Sequence, residues 1–269
     1  MALPNPSPNS YSVVTGASQG IGQYLAINLA KRGHNVVLVA RRKELLDELA
    51  THIAATYNVK ALARPCDLAD PAARKELTDE LRGMHIDILC NDAGTATFGT
   101  LAELAEDKEH LQMQLNANAV HELILAVLPQ MVERRAGGIL NVGSAAGNMP
   151  IPYNATYSAS KAFVNTFSEA LRGEMVDYGV NVTLLAPGPV RPVEKAEEEE
   201  TFLDRMIPSF MWANSDEVAQ MSLDALRDNK RRVVPGVIGK IMNAIGYLPH
   251  PVTLPGNKFT YKKLSEGNI

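Results

Sequence analysis

The chain alternates between short apolar runs and longer segments of helical period over most of its length. Runs rich in Val, Ile and Leu stand at 12–15, 35–40, 59–65, 86–91, 139–143, 180–186 and 232–235. Helix-period segments fill 20–32, 43–57, 71–84, 108–135 and 156–178 between them. A strand buried on both faces reads as a continuous apolar run, and neighbouring parallel strands need a crossover, usually a helix, to connect them. The pattern therefore predicts an α/β fold: a doubly wound parallel β-sheet flanked by helices on both faces. No repeat and no linker-like shift in composition interrupts it, so we expect a single domain over residues 1–269. At 46% hydrophobic and 21% charged residues, the chain can bury a sizeable core.

The alternation stops after Ala186. From 187 to 215 the chain carries Pro187, Pro189, Pro192 and Pro208 together with an acidic run at 197–200. Long irregular segments in such domains are often lids or substrate loops. This one leaves the carboxyl end of a strand, the side on which open α/β sheets bind ligands, so we expect a substrate loop at about 187–215.

After the first apolar run comes Thr15-Gly16-Ala17-Ser18-Gln19-Gly20-Ile21-Gly22, opening a helical segment. Glycines there let backbone N–H groups approach a pyrophosphate, which a helix N-terminus favours electrostatically. Strand before and helix after supply the context that a Rossmann-type dinucleotide turn requires. We expect Gly16, Ser18, Gln19, Gly20, Ile21 and Gly22 to bind the cofactor. An NAD enzyme usually places Asp or Glu about 20 residues beyond the glycines, against the ribose 2′-hydroxyl. Here the second run ends instead in Arg41-Arg42-Lys43. Guanidinium groups suit a phosphate, so Arg41 and Arg42 point to the 2′-phosphate of NADP(H).

Tyr157 and Lys161 stand four apart, on one helix face and one turn from each other. Ser144 follows the 139–143 run, at the rim where ligands collect. Asn116 lies inside the long 108–135 segment, where a polar Asn has modest propensity and calls for a reason.

With these residues in place the chain resembles the short-chain dehydrogenase/reductases over nearly its full length. The matches are the glycine turn, Cys66-Asp67-Leu68, Asn91-Asp92-Ala93-Gly94, Asn116, Asn141-Val142-Gly143-Ser144, Tyr157 with Lys161, and Pro187-Gly188. The resemblance implies an oxidoreductase interconverting a carbonyl and a secondary alcohol, with catalytic Asn116, Ser144, Tyr157 and Lys161. Tyr157 would be the acid in reduction and the base in oxidation. Lys161 would favour the phenolate and hold the nicotinamide ribose, Ser144 would bind the carbonyl oxygen, and Asn116 would place a water in the proton relay. Asp67 and Leu68 would meet the adenine, Asn91, Asp92, Ala93 and Gly94 the adenosine ribose, and Pro187, Gly188 and Val190 the nicotinamide. Members of the family are usually dimers or tetramers, which the apolar content of 111–132 permits. The stretch from Val233 to 248 is similar to a subset that reduces 3-ketoacyl, hydroxysteroid and small carbonyl substrates. Three positions depart from the family pattern: Asp92 stands for Asn, Gly143 for Ser, which is expected to be harmless, and Pro192 for Thr, which is expected to cost a hydrogen bond to the carboxamide.

The remaining features narrow the class. The net charge of −4 gives no reason to expect a nucleic-acid partner. It divides unevenly, however: from residue 229 onward seven Lys/Arg face one acid, Glu266, giving +6 and leaving −10 for the rest. Such a basic C-terminal segment, 229–269, can meet an anionic substrate, an acidic partner or a membrane surface, and 237–248 is too short to span a bilayer but long enough to lie in its interface. Cys66 and Cys90 make no CxxC pair, the six histidines make no ligand pattern, and we expect no metal site. The opening residues lack the apolar core of a signal peptide, and no apolar run approaches ~18 residues, so a cytoplasmic location is the expectation. A protein that binds NADP(H) as a regulator without turnover is the alternative class; NADPH consumption with any carbonyl separates the two.

Overall fold

Each long strand sends successive side chains into two different cores, which is why the sequence runs apolar without a break. The computed structural model describes residues 3–190 and 212–266. Its strands are β1 (Ser10–Thr15), β2 (Asn35–Ala40), β3 (Ala61–Pro65), β4 (His85–Asn91), β5 (Gly137–Val142), β6 (Val180–Leu185) and β7 (Arg232–Val233). They form one sheet in the order β3-β2-β1-β4-β5-β6-β7, parallel throughout. Val13, Val37, Val39, Leu89 and Leu184 face one core, and Val14, Val36, Leu38, Cys90 and Leu185 the other. The fold is the expected doubly wound parallel sheet with helices on both faces.

The helices are α1 (Gly20–Lys31), α2 (Lys43–Tyr57), α3 (Pro71–Arg82), α4 (Glu106–Met113), α5 (Ala119–Arg134), α6 (Ala155–Met175), α7 (Ser215–Arg227), α8 (Val237–Ile245) and α9 (His250–Glu266). α3, α5 and α6 cover the Val13 side, while α1, α2 and α7 cover the Val14 side. Local chemistry sets their ends. Asp70 caps α3 by accepting the Ala72 N–H at 2.9 Å, with Pro71 in the first turn. Asn214 caps α7 through the Asp216 N–H at 2.8 Å. Arg74, 2% exposed, locks α3 to α5 by a bidentate pair with Glu122 at 2.7 and 2.9 Å.

One helix departs from expectation. The segment expected as a single helix at 108–135 is α4 and α5 joined by a π-helical turn, Gln114–Asn118. Such turns are rare and concentrate at functional sites. Asn116 sits inside this one.

The chain leaves the sheet centre in opposite directions from β1, towards β2 on one side and β4 on the other. This reversal opens a crevice beyond the carboxyl ends of the strands, the usual ligand position in such sheets. Most of the loop expected at 187–215, with Pro192 and the acidic run, lies outside the described residues. Among the described residues no helix is long and apolar enough to cross a membrane.

Candidate active site

The crevice is built where the ends of β1 and β4 are tied together. Thr15 Oγ1 accepts the N–H groups of Asp92 and Ala93, both at 3.0 Å, so the glycine turn and the segment after β4 hold one geometry. Gly16 has φ +70°, and a Cβ there would sit 2.9 Å from the Asp92 carboxylate and 3.0 Å from the Ala93 nitrogen. A side chain would close the cradle; glycine is required on both counts. α1 then starts at Gly20 with no acidic residue in its first turn and no capping bond from the Gln19 side chain; the Asp92 carboxylate takes the Gly22 N–H, leaving those of Gly20 and Ile21 for an anion.

Arg41 and Arg42 are both exposed at the end of β2. Arg42 folds back over the glycine turn, donating to Ser18 Oγ at 2.9 Å and Gln19 Oε1 at 2.6 Å. Arg42, expected at the 2′-phosphate, thus lies against Ser18 and Gln19, expected to bind the cofactor from the glycine turn. Asp67 uses its carboxylate to accept the Ala69 N–H at 3.0 Å, while the Leu68 side chain turns into the core at 3% exposure. Any ligand contact by Leu68 falls to its backbone. The Asn91 side chain is 1% exposed and donates to Asn141 Oδ1 at 2.9 Å, inside the sheet, so any ligand contact falls to its backbone. Asn141 passes the chain on to Ser168 Oγ at 2.9 Å. Asp92, Ala93 and Gly94 remain at the rim.

Ser144, Tyr157 and Lys161 converge as their spacing implied. Ser144 begins a one-turn 3-10 helix after β5, its Oγ accepting the Ala146 N–H at 3.1 Å. The Tyr157 phenol lies close enough to this hydroxyl for it to draw the phenol's pKa down. Lys161 Nζ lies 5.9 Å from the Tyr157 ring centre and donates to the Val142 carbonyl at 2.8 Å. Asn116 is 1% exposed; its Oδ1 accepts the Thr95 N–H at 2.9 Å, and its Nδ2 donates to Thr95 O at 2.8 Å and Ser160 Oγ at 3.1 Å. The π turn aims it at the Gly94–Thr95 backbone, where a Cβ on Gly94 would meet Asn116 Oδ1 at 3.2 Å and Lys161 Nζ at 3.3 Å.

The electrostatics follow from burial. Desolvation pushes the Lys161 ammonium down to about 8, against the opposing pull of the Asp92 carboxylate. Burial likewise raises Asp92 to about 7, with Lys161 and the Gly22 N–H drawing it back. Tyr157 is raised by desolvation, and its hydrogen bond with Ser144 works the other way. The carboxylate that departs from the family pattern is therefore the charge partner of Lys161.

Sequence reasoning missed two contributors. Asn165, on α6, clamps the Ser144 backbone: its Oδ1 accepts the Ser144 N–H at 3.3 Å and its Nδ2 donates to Ser144 O at 2.9 Å. A Cβ on residue 143 would lie 2.0 Å from that Oδ1, so Gly143 makes room for the clamp. Tyr261, on α9, packs with Tyr157 against Met149 and Ile151, and stacks on Phe98 at 6.4 Å. Its own phenol is pushed up to about 12, by burial first and Tyr157 second. The one available signal was Tyr261 as an aromatic in a polar tail. Pro187 accepts the Ala145 N–H at 3.0 Å, Gly188 packs on Gly239, and Val190 bridges to Ala213, so the segment after β6 borders the site. A cavity of about 490 Å³ lies on the outer face of α6, lined by Ile151, Ala155, Ala159 and Leu254 and apart from Ser144 and Tyr157.

Comparison with known proteins finds relatives of the same fold. Residues 11–202 match the family model described as short chain dehydrogenase. The chain is 37% identical over 181 residues to the very-long-chain 3-oxoacyl-CoA reductase of Neurospora crassa, covering 65% of this chain and 54% of that protein. The reductase of the same name from Anas platyrhynchos is 37% identical over 191 residues, 68% of this chain and 60% of that one. The chain thus spans only somewhat more than half the length of these relatives. Among solved structures, a short-chain dehydrogenase from Sphingobium yanoikuyae in complex with NADPH superposes with a TM-score of 0.77 at 29% identity, over 89% of this chain and 96% of that one.

Proposed function

The chain belongs to the short-chain dehydrogenase family, and from that premise we propose an NADP(H)-dependent oxidoreductase that reduces the carbonyl of a lipophilic substrate to a secondary alcohol. The observation that carries the reading is the Ser144–Tyr157 hydroxyl pair held beside Lys161 at the mouth of the glycine turn. The residues fit a dinucleotide, because a Cβ would fill the Gly16 cradle and the start of α1 offers the N–H groups of Gly20 and Ile21, with only that of Gly22 taken by Asp92. Ser18, Gln19, Gly20, Ile21 and Gly22 would hold its pyrophosphate, Arg41 and Arg42 its 2′-phosphate, Asp67 and the Leu68 backbone its adenine. Asp92, Ala93 and Gly94 would border the adenosine ribose, and Pro187, Gly188 and Val190 the nicotinamide. When bound, the nicotinamide supplies the hydride.

The side chains then handle the substrate oxygen. Ser144 donates to the carbonyl and fixes its position, and Tyr157 transfers its phenolic proton to the oxygen as negative charge develops there. Lys161, charged, favours the phenolate that remains. Asn116 keeps Gly94 and Thr95 in place beside Lys161, and its Oδ1 retains a lone pair for a water of the proton relay.

Met149, Ile151, Met242 and Tyr261 give the surroundings of Tyr157 an apolar character suited to a lipophilic carbonyl. The names of the two relatives make a 3-oxoacyl thioester the first substrate to test. Exposed Met113, Leu125 and Phe163, the last stacked on Phe167 at 5.4 Å, support a homodimer or homotetramer joined through the α5 and α6 faces.

The deciding experiment titrates NADPH and NADH against the wild type and Arg41→Asp, then assays 3-oxoacyl thioesters, hydroxysteroids and small ketones. One charge-assisted hydrogen bond to the 2′-phosphate is worth about 1.5–3 kcal/mol, a preference of roughly tenfold or more for NADPH. Arg41→Asp should erase or invert it. Equal wild-type affinity for the two cofactors would return both arginines to ordinary surface charge.

A further inference from the structure

Among the described residues, sixteen large hydrophobic side chains are exposed, and eight of them fall between 237 and 259. Val237, Ile241 and Ile245 follow one another at four-residue spacing and form one stripe along α8. The stripe continues into Tyr247 and Leu248 of the connection and Val252 in the first turn of α9, which is 66% exposed. It is not the loose side of a mobile helix, because the opposite side of α8 is pinned. Gly239 packs on Gly188, and Asn243 Oδ1 accepts from Arg232 at 2.7 Å and Asn148 at 2.8 Å. The apolar stripe is therefore held outward.

Its charge is equally one-sided. Between Asp228 and Glu266 the chain has no acidic residue and seven Lys/Arg. Lys240 adjoins Ile241 on α8, and Lys258, Lys262 and Lys263 are exposed along α9. Exposed Phe259 carries the Lys263 ammonium 4.7 Å above its ring. An apolar stripe edged by cations matches a surface that offers acyl chains just beneath anionic headgroups. A second copy of the chain matches it poorly, since a twofold interface sets each cation cluster against its own image.

We propose that α8 and α9 form a docking surface for an anionic membrane, with the Val237–Ile241–Ile245 stripe entering the headgroup boundary and the lysines meeting lipid phosphates. α9 also carries Tyr261 over Tyr157, so the docked face and the mouth of the site share one helix.

The test is co-sedimentation of the full chain with vesicles of phosphatidylcholine alone and of phosphatidylcholine with about 30% phosphatidylserine, at low and high salt. The expected result is binding to the anionic vesicles about tenfold or more above the neutral ones, weakened by salt. Ile241→Glu should abolish binding to both. Lys240→Glu with Lys258→Glu should remove the preference for phosphatidylserine. Circular dichroism and melting temperature check that every variant is folded. Absence of wild-type binding, or undiminished binding by folded Ile241→Glu, overturns the proposal. So does self-association of the wild type that Ile241→Glu dissolves without any vesicle binding, which assigns the stripe to a second copy.

Discussion

At the scale of single residues, the site joins groups whose charges depend on one another. If Tyr157 delivers the proton, Tyr157→Phe keeps the ring and its packing while removing the donor. Turnover should then fall by about 10²–10⁴-fold, with cofactor affinity nearly unchanged. Near-wild-type turnover on a verified substrate would remove Tyr157 from the mechanism. Asp92 allows a second prediction, on pH. Burial holds Lys161 at about 8, and the Asp92 carboxylate resists that fall, so NADPH affinity should weaken as pH rises through that value and Lys161 loses its proton. Asp92→Asn removes the supporting negative charge, and the loss should begin at lower pH. Dissociation constants measured from about pH 6 to 10 decide it; an unchanged or upward-moving limb breaks the coupling. The shared helix face of Tyr157 and Lys161, the place of Ser144 at the end of β5 and that of the arginines at the end of β2 were legible in the sequence; the catalytic roles came from the resemblance. Asn165 and Tyr261 were not legible, because each acts through a contact far away in sequence, and the inward turn of the Asn91 side chain was not either, since an Asn at a strand end looks the same whether it faces ligand or neighbouring strand.

At the scale of elements, the long strands were readable because both faces are buried, and the sequence records burial directly. The division of the 108–135 segment was not, since one extra residue in a helical turn barely disturbs an apolar pattern of period 3.6. β7 shrank to two residues beside Pro235, which lacks the N–H a strand needs. The junction from β5 to the Ser144 turn supports another prediction. Gly143, a departure expected to be harmless, leaves the space that the Asn165 amide fills. Gly143→Ala should push Asn165 aside and cost about 1–3 kcal/mol, seen as a drop in Tm of about 2–4 °C per kcal/mol. Because the same amide holds Ser144 by two hydrogen bonds, kcat should fall as well. An unaltered Tm would show that the clamp yields freely.

For the whole molecule, stability rests on two apolar layers pressed against one sheet. Burial pushes the Cys66 thiol up to about 11 and raises Cys90 further, leaving little reactive thiolate on either. Among the described residues no group of three or more His, Cys, Asp or Glu is placed to hold a metal ion. Neither a chelator nor a reductant should therefore change activity or Tm; a clear loss with chelator would reveal an ion at work. The strand order also governs how the molecule comes into being. The glycine turn leaves the ribosome with β1, but its partner Asp92 follows 77 positions later. At about 5–20 residues per second, translation separates the two by roughly 4–15 s. During that interval β1, destined for the middle of the sheet, has an open edge towards β4, and the cradle around Gly16 lacks one wall. A nascent chain can therefore hold its nucleotide only after His85–Asn91 has emerged and paired. Until then, whatever shields that edge protects the chain from aggregation.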